Sequence, residues 1–167
     1  MDYQKVRQTP SQFLSLTSLT IEEFDYLLPH FETDWEKYYR YHTLEGKKRQ
    51  IISYQEHGNA TLKGTPMKLF FLLVYLKTNN LQQYQAASFG VSQGKVSRIG
   101  RILLSVLDKT FKRIGFSPVR NGSELKAVLA THPNQAFTYD GIERGILRNS
   151  DQEAQQIQFS GKKKVIA

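Results

Sequence analysis

The segment Gln82-Gln83-Tyr84-Gln85-Ala86-Ala87-Ser88-Phe89-Gly90-Val91-Ser92-Gln93-Gly94-Lys95-Val96-Ser97-Arg98-Ile99 has the make-up of two helices joined by a tight turn. Two helices that cross closely need a small residue at the crossing, and Ala86 supplies it. Four residues later, Gly90 can take the positive φ that a tight turn requires. Phe89, Val91, Val96 and Ile99 fall at spacings that bury them between the two helices. Ser92 is a good N-cap for the second helix. The pattern predicts a helix-turn-helix over about residues 81–112, with the second helix running from Ser92 to about Lys112.

With Val96, Ile99 and Leu103 facing inward, the opposite face of the second helix carries Lys95, Ser97, Arg98 and Arg101, and Gln93 stands at its exposed start. Such residues can enter a major groove, where Arg reads guanine and Gln reads adenine. For any one of them, a phosphate contact and a base contact are both open. The competing reading is a helical hairpin with a wet basic face and no role in DNA binding.

Upstream, Thr65-Pro66 opens a helix with Thr65 as its cap. Leu69, Phe70, Leu72, Leu73 and Leu76 make it apolar nearly all round, as a buried helix should be, and Asn79-Asn80 ends it. Further back, residues 9–17 read as a short helix, with Thr9 as cap and Pro10 at its first position. Thr20 and Glu23 have capping-box spacing. Ile21, Phe24, Leu27, Leu28 and Phe31 then repeat at three- and four-residue steps, predicting a helix to about Tyr39 with a kink at Pro29. Residues 42–64 contain Gly46-Lys47-Lys48-Arg49, Gly58-Asn59 and Gly64, and read as a hairpin or loop. A solvated linker and a phosphate contact are both open for its basic run.

Charge is unevenly distributed. The net is +8 over 167 residues, but residues 1–45 carry 4 Lys/Arg against 8 Asp/Glu, while residues 46–120 carry 13 against 2. A polyanion is the natural partner for that middle third, because neutralising a phosphate backbone releases its counterions. The absence of Cys excludes disulfides and thiolate metal sites, and His30, His42, His57 and His132 show no ligand spacing. The longest apolar run, Leu69–Leu76, falls far short of the ~20 residues of a membrane span. The start of the chain lacks a basic-then-apolar signal pattern. The expectation is a cytoplasmic protein with no membrane partner.

Downstream, Gly115 and Pro118 close the helical array, and a short helix runs from Ser123 to about Thr131. Ala136–Tyr139 reads as a strand ending at Asp140-Gly141, with weaker strand candidates at Ile146–Arg148 and Ile157–Ser160. The chain is expected to be mainly α: a helical region with a helix-turn-helix at 1–132, then a change of character at 133–167.

In that last region, Phe137-Thr138-Tyr139-Asp140-Gly141-Ile142-Glu143-Arg144 and Gln158-Phe159-Ser160-Gly161-Lys162-Lys163-Lys164 resemble the opening of the catalytic domain of DDE-superfamily transposases, in particular the bacterial insertion-sequence-five group. In those enzymes an aspartate ends the first strand of an RNase H-like fold, and a Tyr/Phe-Ser-Gly-Lys-Lys-Lys motif follows on a neighbouring strand. Leu19-Thr20-Ile21-Glu22-Glu23-Phe24, Leu27-Leu28-Pro29 and Leu72-Leu73-Val74-Tyr75-Leu76-Lys77-Thr78 look like the same family, so the resemblance spans nearly the whole chain. It implies that 133–167 is the first part of an incomplete RNase H-like α/β domain, with Asp140 as the first catalytic carboxylate and a ligand of Mg²⁺. Two-metal phosphoryl transfer needs further carboxylates. Glu143, Asp151 and Glu153 do not match the family positions for them. The family pattern continues after the three lysines, whereas this chain reads Val165-Ile166-Ala167 and stops, so a truncated transposase, inactive alone and holding no metal tightly, is expected. The partners implied are double-stranded DNA at insertion-element ends, a transposase half encoded downstream, and a second copy of the chain. Two alternatives stay open: an active enzyme completed by that second polypeptide, and a stand-alone helix-turn-helix regulator.

Overall fold

The computed structural model describes residues 1–53, 62–119 and 121–131, together with the backbone of two short strands near the C-terminus. The described residues form seven helices: α1 Tyr3–Arg7, α2 Pro10–Thr17, α3 Ile21–Tyr41, α4 Thr65–Thr78, α5 Gln82–Phe89, α6 Gln93–Ile114 and α7 Gly122–Thr131. β1 Phe159–Ser160 pairs antiparallel with β2 Val165–Ile166. The chain divides into two compact units, Met1–Pro118 and Val119–Ala167.

The first unit is built around α4. Its apolar residues go all round the helix, and Leu69, Phe70, Phe71, Leu72 and Val74 are all buried, because α1, α2, α3 and α6 pack about it. An aromatic cluster fixes the N-terminal side. Phe13 meets Phe24 edge-on at 5.3 Å and stacks on Phe70 at 5.8 Å, and Tyr3 lies 5.6 Å from both Phe24 and Phe70. Such pairs add about 0.5–1.5 kcal/mol each beyond burial.

Local signals explain most helix starts. At α3 the Thr20 hydroxyl accepts from the Glu23 amide, and the Glu23 carboxylate accepts from the Thr20 amide at 2.8 Å, a complete capping box. The helix continues through Pro29 to Tyr41. α2 starts at Pro10 as expected, although the Thr9 side chain makes no capping bond. α1 has no counterpart in the sequence pattern. Asp2 caps it by accepting from the Gln4 and Lys5 amides, and it carries Tyr3 and Val6 into the core.

The expected cap of α4 is corrected. Gly64, with φ +79°, occupies the cap position, while Thr65 lies inside the helix and is buried. The turn before α4 is held instead by Lys68, whose buried ammonium donates to the carbonyls of Leu62 at 2.7 Å and Gly64 at 3.2 Å and lies 5.3 Å from the Trp35 ring centroid. Arg7 clamps Asp25 with two bonds of 2.6 and 2.7 Å, tying α1 to α3. Hydrogen bonding to that guanidinium holds the Asp25 carboxyl below the usual carboxylate range.

In the second unit, α7 matches the expected short helix, and none of its residues is buried. Of the strands expected there, Phe159–Ser160 falls within Ile157–Ser160. Ala136–Tyr139, Ile146–Arg148 and Asp140 lie outside the described residues.

Candidate nucleic-acid interface

The interface begins at the seating of α5. Gln85 is fully buried and donates from Nε2 to the Phe71 carbonyl at 3.0 Å, which docks α5 on α4. Phe89 completes the seat, 5.0 Å from Phe71 and 6.0 Å from Phe70. Ala86 is buried on α5, and α5 packs against α6. The turn is a Schellman motif: the Val91 amide donates to the Ala86 carbonyl at 3.0 Å and the Gly90 amide to that of Ala87 at 3.4 Å. Gly90 has φ +63°, and a Cβ there would meet nothing within 4 Å, so the glycine is required by backbone conformation and not by space.

Ser92 starts α6 as its sequence predicts, its hydroxyl accepting from the Lys95 amide at 3.3 Å. Val96, Ile99 and Leu103 are buried on the inner face. The helix runs slightly past its expected end, to Ile114, and closes with the same pair of bonds: Phe116 amide to Phe111 carbonyl, Gly115 amide to Lys112 carbonyl.

The five residues assigned to DNA contact do not stand equally. Gln93, Arg98 and Arg101 are exposed, whereas Lys95 and Ser97 are half-buried on the flanks of the outward face. Arg98 and Arg101 are helix neighbours at i, i+3 and share one face. Arg101 folds back onto its own helix, Nε donating to the Ser97 carbonyl at 3.3 Å. Arg98 reaches across the molecule, its guanidinium 3.4 Å from the carboxylate of Glu45.

Glu45 belongs to a hairpin that sequence reasoning places only loosely. Here Thr43-Leu44-Glu45-Gly46-Lys47 closes on itself: the Gly46 amide donates to the Thr43 carbonyl at 3.0 Å and the Thr43 amide to that of Lys47 at 2.8 Å, with Gly46 at φ +82°. His42 and Lys48 form an antiparallel bridge. Arg49 pins the base of the hairpin to the end of α3. Its Nε donates to the carbonyls of Tyr39 and His42, both at 2.9 Å, and its guanidinium lies over the Tyr39 ring. Leu44 packs on the core, and the Tyr38 hydroxyl donates to the Thr43 carbonyl. Burial, reinforced by the Glu45 carboxylate, pushes the Tyr38 phenol up. The basic run therefore splits: Lys47 and Lys48 are exposed, and Arg49 is structural. Nothing local in the sequence points to Glu45, which is 53 residues from its partner.

Among the described residues no group of three or more His, Cys, Asp or Glu could hold a metal ion, and no helix is long and apolar enough to cross a membrane. No curated protein and no solved structure matches the chain. Residues 65–113, which run from the start of α4 to the last turn of α6, match the family model described as the helix-turn-helix of DDE superfamily endonuclease.

Proposed function

We propose that the chain is the DNA-binding N-terminal region of a DDE transposase of the insertion-sequence-five type, and that it recognises double-stranded DNA at the ends of its element. The observation that carries this reading is the exposed pair Arg98 and Arg101 on the outward face of α6, inside the segment similar to the DDE helix-turn-helix. Buried Val96, Ile99 and Leu103 orient that face. In this reading Gln93, Arg98 and Arg101 enter the major groove, and Lys95 and Ser97 touch the flanking phosphates.

The same reading makes Asp140 the first catalytic carboxylate and a ligand for Mg²⁺, which in the family enzyme neutralises charge on the reacting phosphate. The resemblance supplies no second or third carboxylate among these residues. A stand-alone regulator would bind DNA in the same way, but Tyr139-Asp140-Gly141-Ile142-Glu143-Arg144 and Phe159-Ser160-Gly161-Lys162-Lys163-Lys164 favour the transposase.

Selection of bound duplexes from a random-sequence pool tests the reading, and a consensus sequence should emerge. Replacing Arg98 and Arg101 together by Ala should weaken binding to that consensus by about 1–3 kcal/mol for each arginine that reads a base. Recovery of no consensus, or unchanged affinity in the double variant, overturns the assignment of α6.

A further inference from the structure

We propose that the hairpin Thr43–Lys48 is a second DNA-contacting element, a wing beside α6, in which Lys47 and Lys48 hold backbone phosphates while Glu45 keeps Arg98 in place until DNA displaces it. The inference rests on the reading of α6 as the DNA-facing helix and extends it to residues outside the segment that matches a known family, which begins at residue 65.

Three observations place the wing. The Glu45 carboxylate touches the Arg98 guanidinium at 3.4 Å, so the hairpin tip lies against the outward face of α6. Lys47 and Lys48 follow Glu45 by two and three residues, which is no more than about 11 Å of backbone, and both are exposed. The hairpin is also braced: Arg49 ties its base to the end of α3, Leu44 packs on the core, and the turn closes its own hydrogen bonds. Its lysines are thus presented from a fixed support, which spares part of the ordering cost of binding.

Glu45 is an acidic residue placed where a phosphate backbone would come. Its pair with Arg98 is exposed on both sides, the side chains retaining 56% and 53% of their accessibility. Exposed pairs of this kind contribute little. A phosphate or a guanine edge can therefore take Arg98 over. In free protein the carboxylate holds the guanidinium at the face from which it must act. Against DNA it is repelled, and this lowers affinity for every sequence alike. Sequences that offer Arg98 a base partner offset that loss, so tight binding is left to them, while the difference between sequences comes from Arg98 itself.

The test is fluorescence anisotropy of a labelled random-sequence duplex with the whole chain, titrated at several salt concentrations. Each phosphate neutralised contributes about 0.9 to the slope of log affinity against log salt. Replacing Lys47 and Lys48 together by Ala should lower that slope by close to the value of two phosphates, with unchanged helix content by circular dichroism. Glu45→Gln should tighten random-sequence binding several-fold, while Glu45→Gln combined with Arg98→Ala should lose most of that gain. An unchanged slope in the lysine variant overturns the wing. Unchanged or weaker random-sequence binding in Glu45→Gln overturns the role given to Glu45. If the unaltered chain binds no duplex at all, the reading of α6 itself fails and the wing with it; a chain that binds normally with an unchanged slope in the lysine variant refutes the wing alone.

Discussion

The two halves of α6 are written in similar residues and used in opposite ways. Its first half, Gln93 to Leu103, turns Arg98 and Arg101 to solvent, and the carboxylate that touches Arg98 does so through an exposed pair. Its second half is just as basic, with Lys109, Lys112 and Arg113, yet there two of the three are held by carboxylates, Arg113 by the nearly buried Asp34 and Lys112 by Asp108. Arg113 donates twice to one oxygen of Asp34, at 3.0 and 2.9 Å, and once to the His30 carbonyl, while the Thr110 hydroxyl also donates to Asp34. Lys112 pairs with Asp108 at 2.7 Å. A count of positive residues ranks the halves as equals. Partners separate them: the second half joins α6 to α3, and the first half is left able to exchange a weak partner for a strong one.

The largest test of this division is Asp34→Ala. Asp34 keeps only 12% of its side-chain accessibility and accepts from both Arg113 and Thr110. Hydrogen bonds to charged groups are worth about 1.5–3 kcal/mol each, but Arg113 is partly solvated and stays so when its partner is lost, which holds the expected loss well below the sum of the bonds, at about 2 kcal/mol. Urea unfolding should show a lowered midpoint, while the salt dependence of DNA binding stays unchanged. A variant of normal stability with altered DNA binding would mean that the second half also faces DNA, and the comparison would collapse.

Gly90→Val comes next. The first half of α6 depends on the turn that delivers it, and that turn requires φ +63° at Gly90. Since an added Cβ meets nothing, the cost is conformational alone, about 1–2 kcal/mol for a left-handed residue with a side chain. Gly90→Asn should lose less, because Asn tolerates this conformation. Equal melting temperatures for the Val variant and the unaltered chain would show that the turn lies elsewhere.

Gly90 also marks what can be read from sequence and what cannot. The turn glycine, the Ser92 cap and the Thr20–Glu23 capping box are all legible, because each is decided within four residues. The inner face of α6 is legible because periodicity is local as well. The Thr65 cap is misplaced by one residue: Gly64, with its positive φ, leads into the helix, and threonine is drawn into the core. α1 escapes because five residues are too few to show a period. The pairings that sort the arginines are beyond reach altogether. Arg98 meets Glu45 across 53 positions and Arg113 meets Asp34 across 79, and no local spacing encodes either. Periodicity therefore names the face of α6 correctly but cannot say which of its flanking charges are already engaged.

The smallest expected effect is at Lys112, and it bears most directly on the comparison. Lys112 is as exposed as a recognition residue and lies on the same stripe of α6 as Arg98 and Arg101. Its pair with Asp108 is an i, i+4 pair at the surface, with both side chains about half or more accessible. Such a pair contributes about 0.3–0.5 kcal/mol, so Lys112→Ala should barely move the urea midpoint. Its effect on DNA is the informative quantity. From Arg101 to Lys112 the helix rises about 16 Å, far enough along α6 to carry Lys112 away from a groove entered by the first half. Asp108 beside it would also repel a phosphate. Lys112→Ala should therefore leave affinity and salt slope close to those of the unaltered chain, where Arg101→Ala lowers affinity clearly. If the two variants weaken binding equally, DNA lies along the whole length of α6, and the charges of its second half are as much a part of the interface as those of its first.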